Sequence, residues 1–323
     1  MGAAWIIAVA LAARSGAAPP AEQGWAWQET ATPHFLIRHQ ATWLPSHLTM
    51  DLEKIYFRLH MDLGRFSSWT EKNAVNVYLY QDMKSYVGGE FSPPPWSDGV
   101  AIYDKNAVAI PGMRPGPQML QVLAHENTHL IFVRYFRESR RDPPSWINEG
   151  LAMLEESDSP EKPEASRWYQ SMVATDSRRW FPLDRFFAIS PMKDLHDDKE
   201  QVATFYVQAY SIVHFLVRKH SRFQFKSFCD RLREGKSAAE ALRLAYHYRD
   251  IGAFERNWRA WLGDPSHKRR VDELPLAQRV QDDGVVDQVD SAFPGFSTGW
   301  KTKSASAIKP TPMTASPAAS ADR

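Results

Sequence analysis

The sequence predicts an α+β protein, in which a small N-terminal α/β lobe with a mixed sheet precedes a mainly helical C-terminal lobe. Two observations carry this prediction. Short strand patterns lie before about residue 110, and the apolar spacing is mostly helical from about residue 118 to residue 262. Strands that come early and helices that come late favour two lobes over a doubly wound sheet.

The composition is close to that of an ordinary soluble protein. The chain has 323 residues, of which 43% are hydrophobic and 24% charged, and this excludes a disordered chain and a multi-span membrane protein. The formal net charge is +1, so there is no basic excess that would favour nucleic acid as a main partner. A single cysteine, Cys229, excludes an internal disulfide framework and a cysteine-rich metal site.

The N-terminus has the pattern of a secretory signal peptide, which we assign to residues 1–18. Residues 3–13 form an apolar run that is too short to span a bilayer, since a spanning helix needs about 20 residues. Small residues follow up to Ala17 and Ala18, although no Lys or Arg precedes the run. We expect cleavage near Ala18 and export to the periplasm or the medium. An uncleaved apolar extension is the alternative.

Strand and helix patterns both occur in the predicted α/β lobe, residues 25–117. Apolar and polar residues alternate in the strand patterns, whereas apolar residues recur at helical spacing between the first two of them. In chain order, the predicted elements are a strand at residues 34–39, a helix at 44–67, a strand at 74–80 and a hairpin of two short strands at 99–110.

The predicted helical lobe occupies residues 118–263. Its elements are a helix at residues 118–136, a second from Ser145 to about residue 156, a helix with a long apolar face at 205–220, and one opened by the S-x-x-E capping box at Ser237 and Glu240. The apolar periodicity is lost from about Gly263, and the end of the chain is rich in Ser, Ala, Pro and Thr. We therefore expect residues 264–323 to form a disordered tail.

The first helix of this lobe carries an H-E-x-x-H pattern, because residues 125–129 read HENTH. Residues four apart lie on one helix face, so the imidazoles of His125 and His129 can bind one cation. Glu126 projects about 100° around the helix and can reach a water on the metal without binding the metal itself. This is the division of labour of a metallohydrolase. The alternative is an amphipathic helix with polar surface residues, but apolar residues flank the pattern, and buried histidines need polar partners.

A third ligand is available 20 residues after His129, where Glu149 lies in the sequence PSWINEGLA. A turn at residues 140–144 would let the second helix return towards the first. HENTH followed by WINEGLA resembles the gluzincin metallopeptidases of the peptidase MA-like superfamily, which include thermolysin-like and aminopeptidase N-like enzymes. The resemblance extends over roughly residues 27–262, and its specific part is residues 124–156.

The resemblance implies a zincin-like two-lobed fold around an active-site helix, together with a metal centre. His125, His129 and Glu149 would bind one Zn²⁺ ion, whose fourth position stays open for water, and Glu126 would act as the general base. Asn148 would hydrogen-bond a ligand histidine.

Further residues have less specific roles by the same resemblance. Glu155 and Glu156 could also support a ligand, although a solvated helix end is the simpler interpretation. A tyrosine is expected to stabilise the oxyanion of the reaction. Tyr206 is favoured over Tyr210, since it opens the Y-x-Q-x-Y segment, but both lie at helical spacing that also suits a core.

The predicted function is therefore an exported zinc-dependent peptidase that acts on peptide or protein substrates with a metal-activated water. The chain lacks the G-x-M-E-N segment with which aminopeptidases of this group bind the substrate's amino terminus, and this mildly favours an endopeptidase. The hairpin at residues 99–110 could offer a sheet edge to an extended substrate. Two alternatives stay open: a catalytically silent, peptidase-like binding protein, and a zinc hydrolase of a non-peptide bond.

Overall fold

A computed structural model describes residues 26–40, 44–66, 73–95, 97–112, 116–157, 161–195 and 198–280 of the chain. The predicted signal peptide lies outside these residues. The described chain is α+β, as the sequence predicts, with a small mixed sheet in its N-terminal part and mainly helices after it. The two-lobed zincin arrangement stays a prediction. None of the described helices is both long and apolar enough to cross a membrane.

The sheet contains five described strands. They are β1 (Gln28–Ala31), β2 (Phe35–His39), β3 (Val75–Leu79), β4 (Val100–Ile102) and β5 (Ala107–Ile110). Their order is β1-β2-β3-β5-β4, in which the two inner pairs are parallel and the two outer pairs antiparallel. The predicted strands and hairpin are thus confirmed, and β4 is the last described strand on its side of the sheet.

The rest of the described chain is mainly helical. The helices are α1 (Ser46–Leu63), α2 (Met83–Val87), α3 (Pro117–Arg137), α4 (Ser145–Glu155), α5 (Arg167–Ala174), α6 (Leu183–Phe186), α7 (Pro191–Asp194), α8 (Lys199–His214), α9 (Arg222–Arg233), α10 (Ala238–Tyr246), α11 (Ile251–Leu262) and α12 (Pro265–Asp272). The predicted helix at residues 205–220 begins earlier, where Asp198 caps α8, and continues after His214 as a π-helical segment, Phe215–Lys219.

Helix α3 lies at the centre of the packing. It contacts the sheet through β4 and β5, and it also packs against α1 and α4. All its residues from Leu123 to Val133 are buried, which explains why its sequence shows only a weak polar face. Helix α4 in turn packs closely on α8 at Gly150, where a Cβ atom would come within 2.5 Å of the Ala209 carbonyl oxygen. Glycine therefore permits this close approach.

The structure corrects the predicted start of the tail. The chain does not become irregular at Asp264, because the Asp264 side chain caps α12 by accepting a hydrogen bond from the Ser266 N–H. His267 anchors the helix. Its Nε2 donates to the Trp261 carbonyl at 3.0 Å, so its Nδ1 accepts from the Tyr169 hydroxyl at 2.6 Å. His267 is the buried residue of α12, and a single buried residue produces no apolar periodicity. The sequence pattern therefore does not predict this helix. The tail beyond residue 280 lies outside the described residues.

Candidate metal centre

The side chains of His125, His129 and Glu149 converge beside α3. Their ligand atoms all lie within 4.8 Å of one another. His125 Nε2 is 3.0 Å from His129 Nε2, and each of these nitrogens is 3.8 Å from Glu149 Oε2. A tetrahedral ion about 2.1 Å from each ligand would separate the ligand atoms by roughly 3.4 Å. The three residues therefore form a group that can hold a metal ion.

Two helices position this group. Helix α3 supplies both histidines, which lie one turn apart with ring centroids separated by 4.6 Å. Helix α4 supplies Glu149 and is itself held by buried Trp146 and Ile147. Because Gly150 follows Glu149 directly, the close contact of α4 with α8 lies next to the ligand and sets its position.

The pKa values of the two histidines are shifted in opposite directions. Burial lowers the pKa of His125, but the hydrogen bond and charge of Glu156, together with other carboxylates, outweigh burial and raise that pKa to about 9. Burial and the charge of His125 lower the pKa of His129 to about 3. Their Nε2 atoms lie 3.0 Å apart, and both nitrogens must be free of protons when they bind a cation.

Glu156 holds His125 in place, and its interpretation as part of a solvated helix end is wrong. It is 6% exposed. One carboxylate oxygen accepts from His125 Nδ1 at 2.8 Å, and the other accepts from Arg167 Nη2 at 3.0 Å and from Trp168 Nε1 at 2.8 Å. The sequence contained a signal for this role, since Glu156 follows Glu149 by seven residues, two helical turns on the same face.

Asn148 lies beside the other histidine. His129 Nδ1 and Asn148 Oδ1 are both buried and lack a well-formed hydrogen bond among the described residues. Asn148 nevertheless acts to raise the pKa of His129, as a hydrogen-bond acceptor does. Because an Nδ1–H group donates and an amide oxygen accepts, the two atoms are complementary. Asn148 thus lies where the N-E motif predicts a supporting residue.

Glu126 lies against strand β4. A Cβ atom on Gly99, the residue before that strand, would lie 3.0 Å from Glu126 Cγ. Burial raises the pKa of Glu126 to about 7, although the charge of His125 opposes this rise. A carboxyl group with this pKa can both accept and release a proton near neutral pH.

The two candidate tyrosines on α8 have different surroundings. Burial and the charge of Glu149 raise the pKa of Tyr206, which places a protonated hydroxyl near the metal-binding group. The Tyr210 hydroxyl instead lies 3.2 Å from His214 Nδ1. Tyr206 is therefore the tyrosine whose pKa responds to Glu149, whereas the Tyr210 hydroxyl is engaged with His214 on its own helix.

Tyr103 is a neighbour of the site that the sequence did not single out. It directly follows β4, and its pKa is raised by burial and by the charges of Glu126 and Glu149. The guanidinium group of Arg137 lies 4.5 Å from the centre of its ring. In the sequence, only its position in the predicted hairpin at residues 99–110 could have indicated that Tyr103 lies near the site.

The comparisons with known proteins agree with this arrangement. Residues 56–264 match the family described as the Peptidase MA superfamily. The matched segment covers more than half of the chain and includes both α3 and α4. A search of curated proteins finds no match.

Proposed function

The chain belongs to the peptidase MA superfamily, and from this premise we propose that it is a zinc-dependent peptidase of the gluzincin type. The observation that carries the proposal is the convergence of His125, His129 and Glu149 next to Glu126, whose pKa is raised to about 7. We further propose that the protein is exported, as its N-terminal pattern predicts.

The donor set favours zinc over other common ions. Two imidazoles and one carboxylate form a ligand set of catalytic zinc sites, in which one position stays free. Magnesium and calcium prefer sites made of oxygen ligands. When it is bound, zinc acts as a Lewis acid that polarises the substrate carbonyl and makes water nucleophilic near neutral pH.

Glu126 carries the proton transfers in this proposal. Its carboxylate takes a proton from the attacking water and later delivers it to the amide nitrogen of the leaving group. The Glu126 side chain packs against Gly99, the residue before β4. The hydroxyl of Tyr206, which is protonated near neutral pH, donates a hydrogen bond to the carbonyl oxygen as its negative charge develops.

Strand β4 supports a peptide as the substrate. It pairs with β5 on one side and has no described strand on the other. An extended peptide can add to such an edge through backbone hydrogen bonds. Because Gly99, the residue before β4, packs against Glu126, a peptide on this edge would pass close to the catalytic base.

The test compares wild type with Glu126→Gln after zinc loading, using quenched fluorescent peptides and a metal assay. We expect one zinc per chain in both proteins and a loss of about 10²- to 10⁴-fold in hydrolysis in the variant. Glu138→Gln is a matched control, because Glu138 caps the far end of α3 and pairs with Arg233 at the surface.

Other outcomes would contradict the proposal. A Glu126→Gln protein as active as wild type would remove Glu126 as the base. Zinc binding without hydrolysis would indicate a peptidase-like binding protein, and hydrolysis of esters alone would indicate a non-peptide substrate. We also expect His129→Ala to lose the ion, and equal zinc content in that variant would remove the proposed metal site.

A further inference from the structure

Asp98 is a buried carboxylate that the proposed mechanism does not use. It lies two residues before β4 and is only 8% exposed. It forms no hydrogen bond or ion pair with another residue in the described part of the chain. Burial raises its pKa to about 6, and the charge of Arg167 only partly opposes that rise. Asp98 therefore keeps a charge at neutral pH without a bonded partner among the described residues.

The position of Asp98 is close to the catalytic base. Its neighbour Gly99 packs on α3, since a Cβ atom there would lie 2.7 Å from Val122 Cγ1 and 3.0 Å from Glu126 Cγ. The hydroxyl of Tyr86 hydrogen-bonds with Ser97 at 2.9 Å, and the charges of both Glu126 and Asp98 raise the pKa of Tyr86. The two carboxylates thus lie on either side of Gly99 and both influence one hydroxyl.

Arg167 does not neutralise Asp98. Its Nη2 donates to Glu156 at 3.0 Å, and Glu156 in turn holds His125. Arg167 influences the pKa of Asp98, but the two side chains form no ion pair in the described chain. Moving Arg167 to Asp98 would remove one of the bonds that hold Glu156. Among the described residues, Arg167 is thus the cation that acts on Asp98, and it is engaged with Glu156.

A buried carboxylate without a partner is costly, and such a charge is normally met by a cation or by hydrogen-bond donors. We propose that Asp98 is a specificity-determining residue that binds a cationic nitrogen of the peptide substrate next to the scissile bond. The inference rests on the proposed peptidase function. The cation can be a Lys or Arg side chain or a free amino terminus, because both present the same charge and donors.

Binding without turnover tests this role. The proteins are zinc-loaded Glu126→Gln and the same variant with Asp98→Asn. The probes are Ala-based octapeptides with a C-terminal fluorophore, each with one Lys or with norleucine at the same position, and each with a free or an acetylated amino terminus. Fluorescence anisotropy at pH 7.5 gives the ratio of the Kd values for each matched pair.

In one matched pair, we expect the cationic peptide to bind the Glu126→Gln protein about 30-fold more tightly than the neutral peptide. When Asp98→Asn is added, the ratio of the two Kd values should fall to near 1. The pair that shows the ratio identifies the source of the cation. Asp98→Glu should restore part of the ratio, since it restores the charge. Asp104→Asn is the matched control, because Asp104 is an exposed carboxylate just after β4.

A ratio that persists in Asp98→Asn, or no ratio in any pair, would overturn the assignment of Asp98. In those cases wild type would still cleave the peptides, and the proposed function would stand. If the peptides neither bind nor are cleaved, both the proposed peptidase function and the proposed role of Asp98 are contradicted.

Discussion

The Asp98→Asn variant should have a larger free energy of unfolding than wild type at pH 7.5 when no substrate is present. An amide of the same shape removes a charge that burial disfavours. The pKa of Asp98 is raised from 3.8 to about 6. Since each pKa unit corresponds to about 1.4 kcal/mol, the charge costs about 3 kcal/mol at most. Contact of the carboxylate with water reduces this value, so we expect a gain of about 1–2 kcal/mol.

The sign of the effect gives it a defined pH dependence. A carboxyl group with a raised pKa binds more protons in the folded state than in the unfolded state between its two pKa values. The stability of wild type should therefore fall as the pH rises from about 4 to about 6, relative to the variant. Above pH 7 the difference should be constant, and below pH 4 it should vanish.

Urea denaturation of the metal-free proteins, followed by tryptophan fluorescence at pH 3.5 and pH 7.5, measures this difference. Asp104→Asn is the control and should change stability little at either pH. A less stable Asp98→Asn protein at pH 7.5, or the same difference at both pH values, would refute the reasoning. A confirmed gain would show that the protein carries Asp98 at a cost in stability, which is typical of residues kept for binding.

The remaining predictions concern the supports of the site. Glu156→Gln should weaken zinc binding about 10- to 100-fold in a chelator competition assay, and unchanged affinity would contradict its role in holding His125. Gly150→Ala should lower the free energy of unfolding by about 1–3 kcal/mol in thermal denaturation, because its Cβ would meet the Ala209 carbonyl. Gly252→Ala is the control and should keep its stability, since a Cβ atom has room there. Hydrogen bonds from Thr32 and His34 outweigh burial and lower the pKa of Glu53. Glu53→Gln should therefore cost about 1–2 kcal/mol at pH 7 and progressively less as the pH falls below 4, and an equal loss at both pH values would contradict this.

The local pattern of the sequence was sufficient for most of the elements. Alternation predicted β2 and β3, and helical spacing predicted α1 and α3 to within a few residues. The pattern failed for α12, because one buried histidine and one capping aspartate hold that helix. It also placed the start of α8 at residue 205, whereas Asp198 caps the helix and Lys199 begins it. Such details depend on what the segment packs against, and spacing along the chain does not contain that information.

The candidate metal-binding group is what the sequence by itself determined, since the spacing within HENTH sets two histidines one helical turn apart and the following N-E pair offers a third carboxylate ligand. Only the tertiary structure decided which side chains surround that group. Glu156 meets His125 and Arg167, and Asp98 lies near Glu126, because separate helices and an edge strand pack together there. Charges that are distant in the chain interact only after packing removes the water between them, so their pKa values and partners follow from the fold.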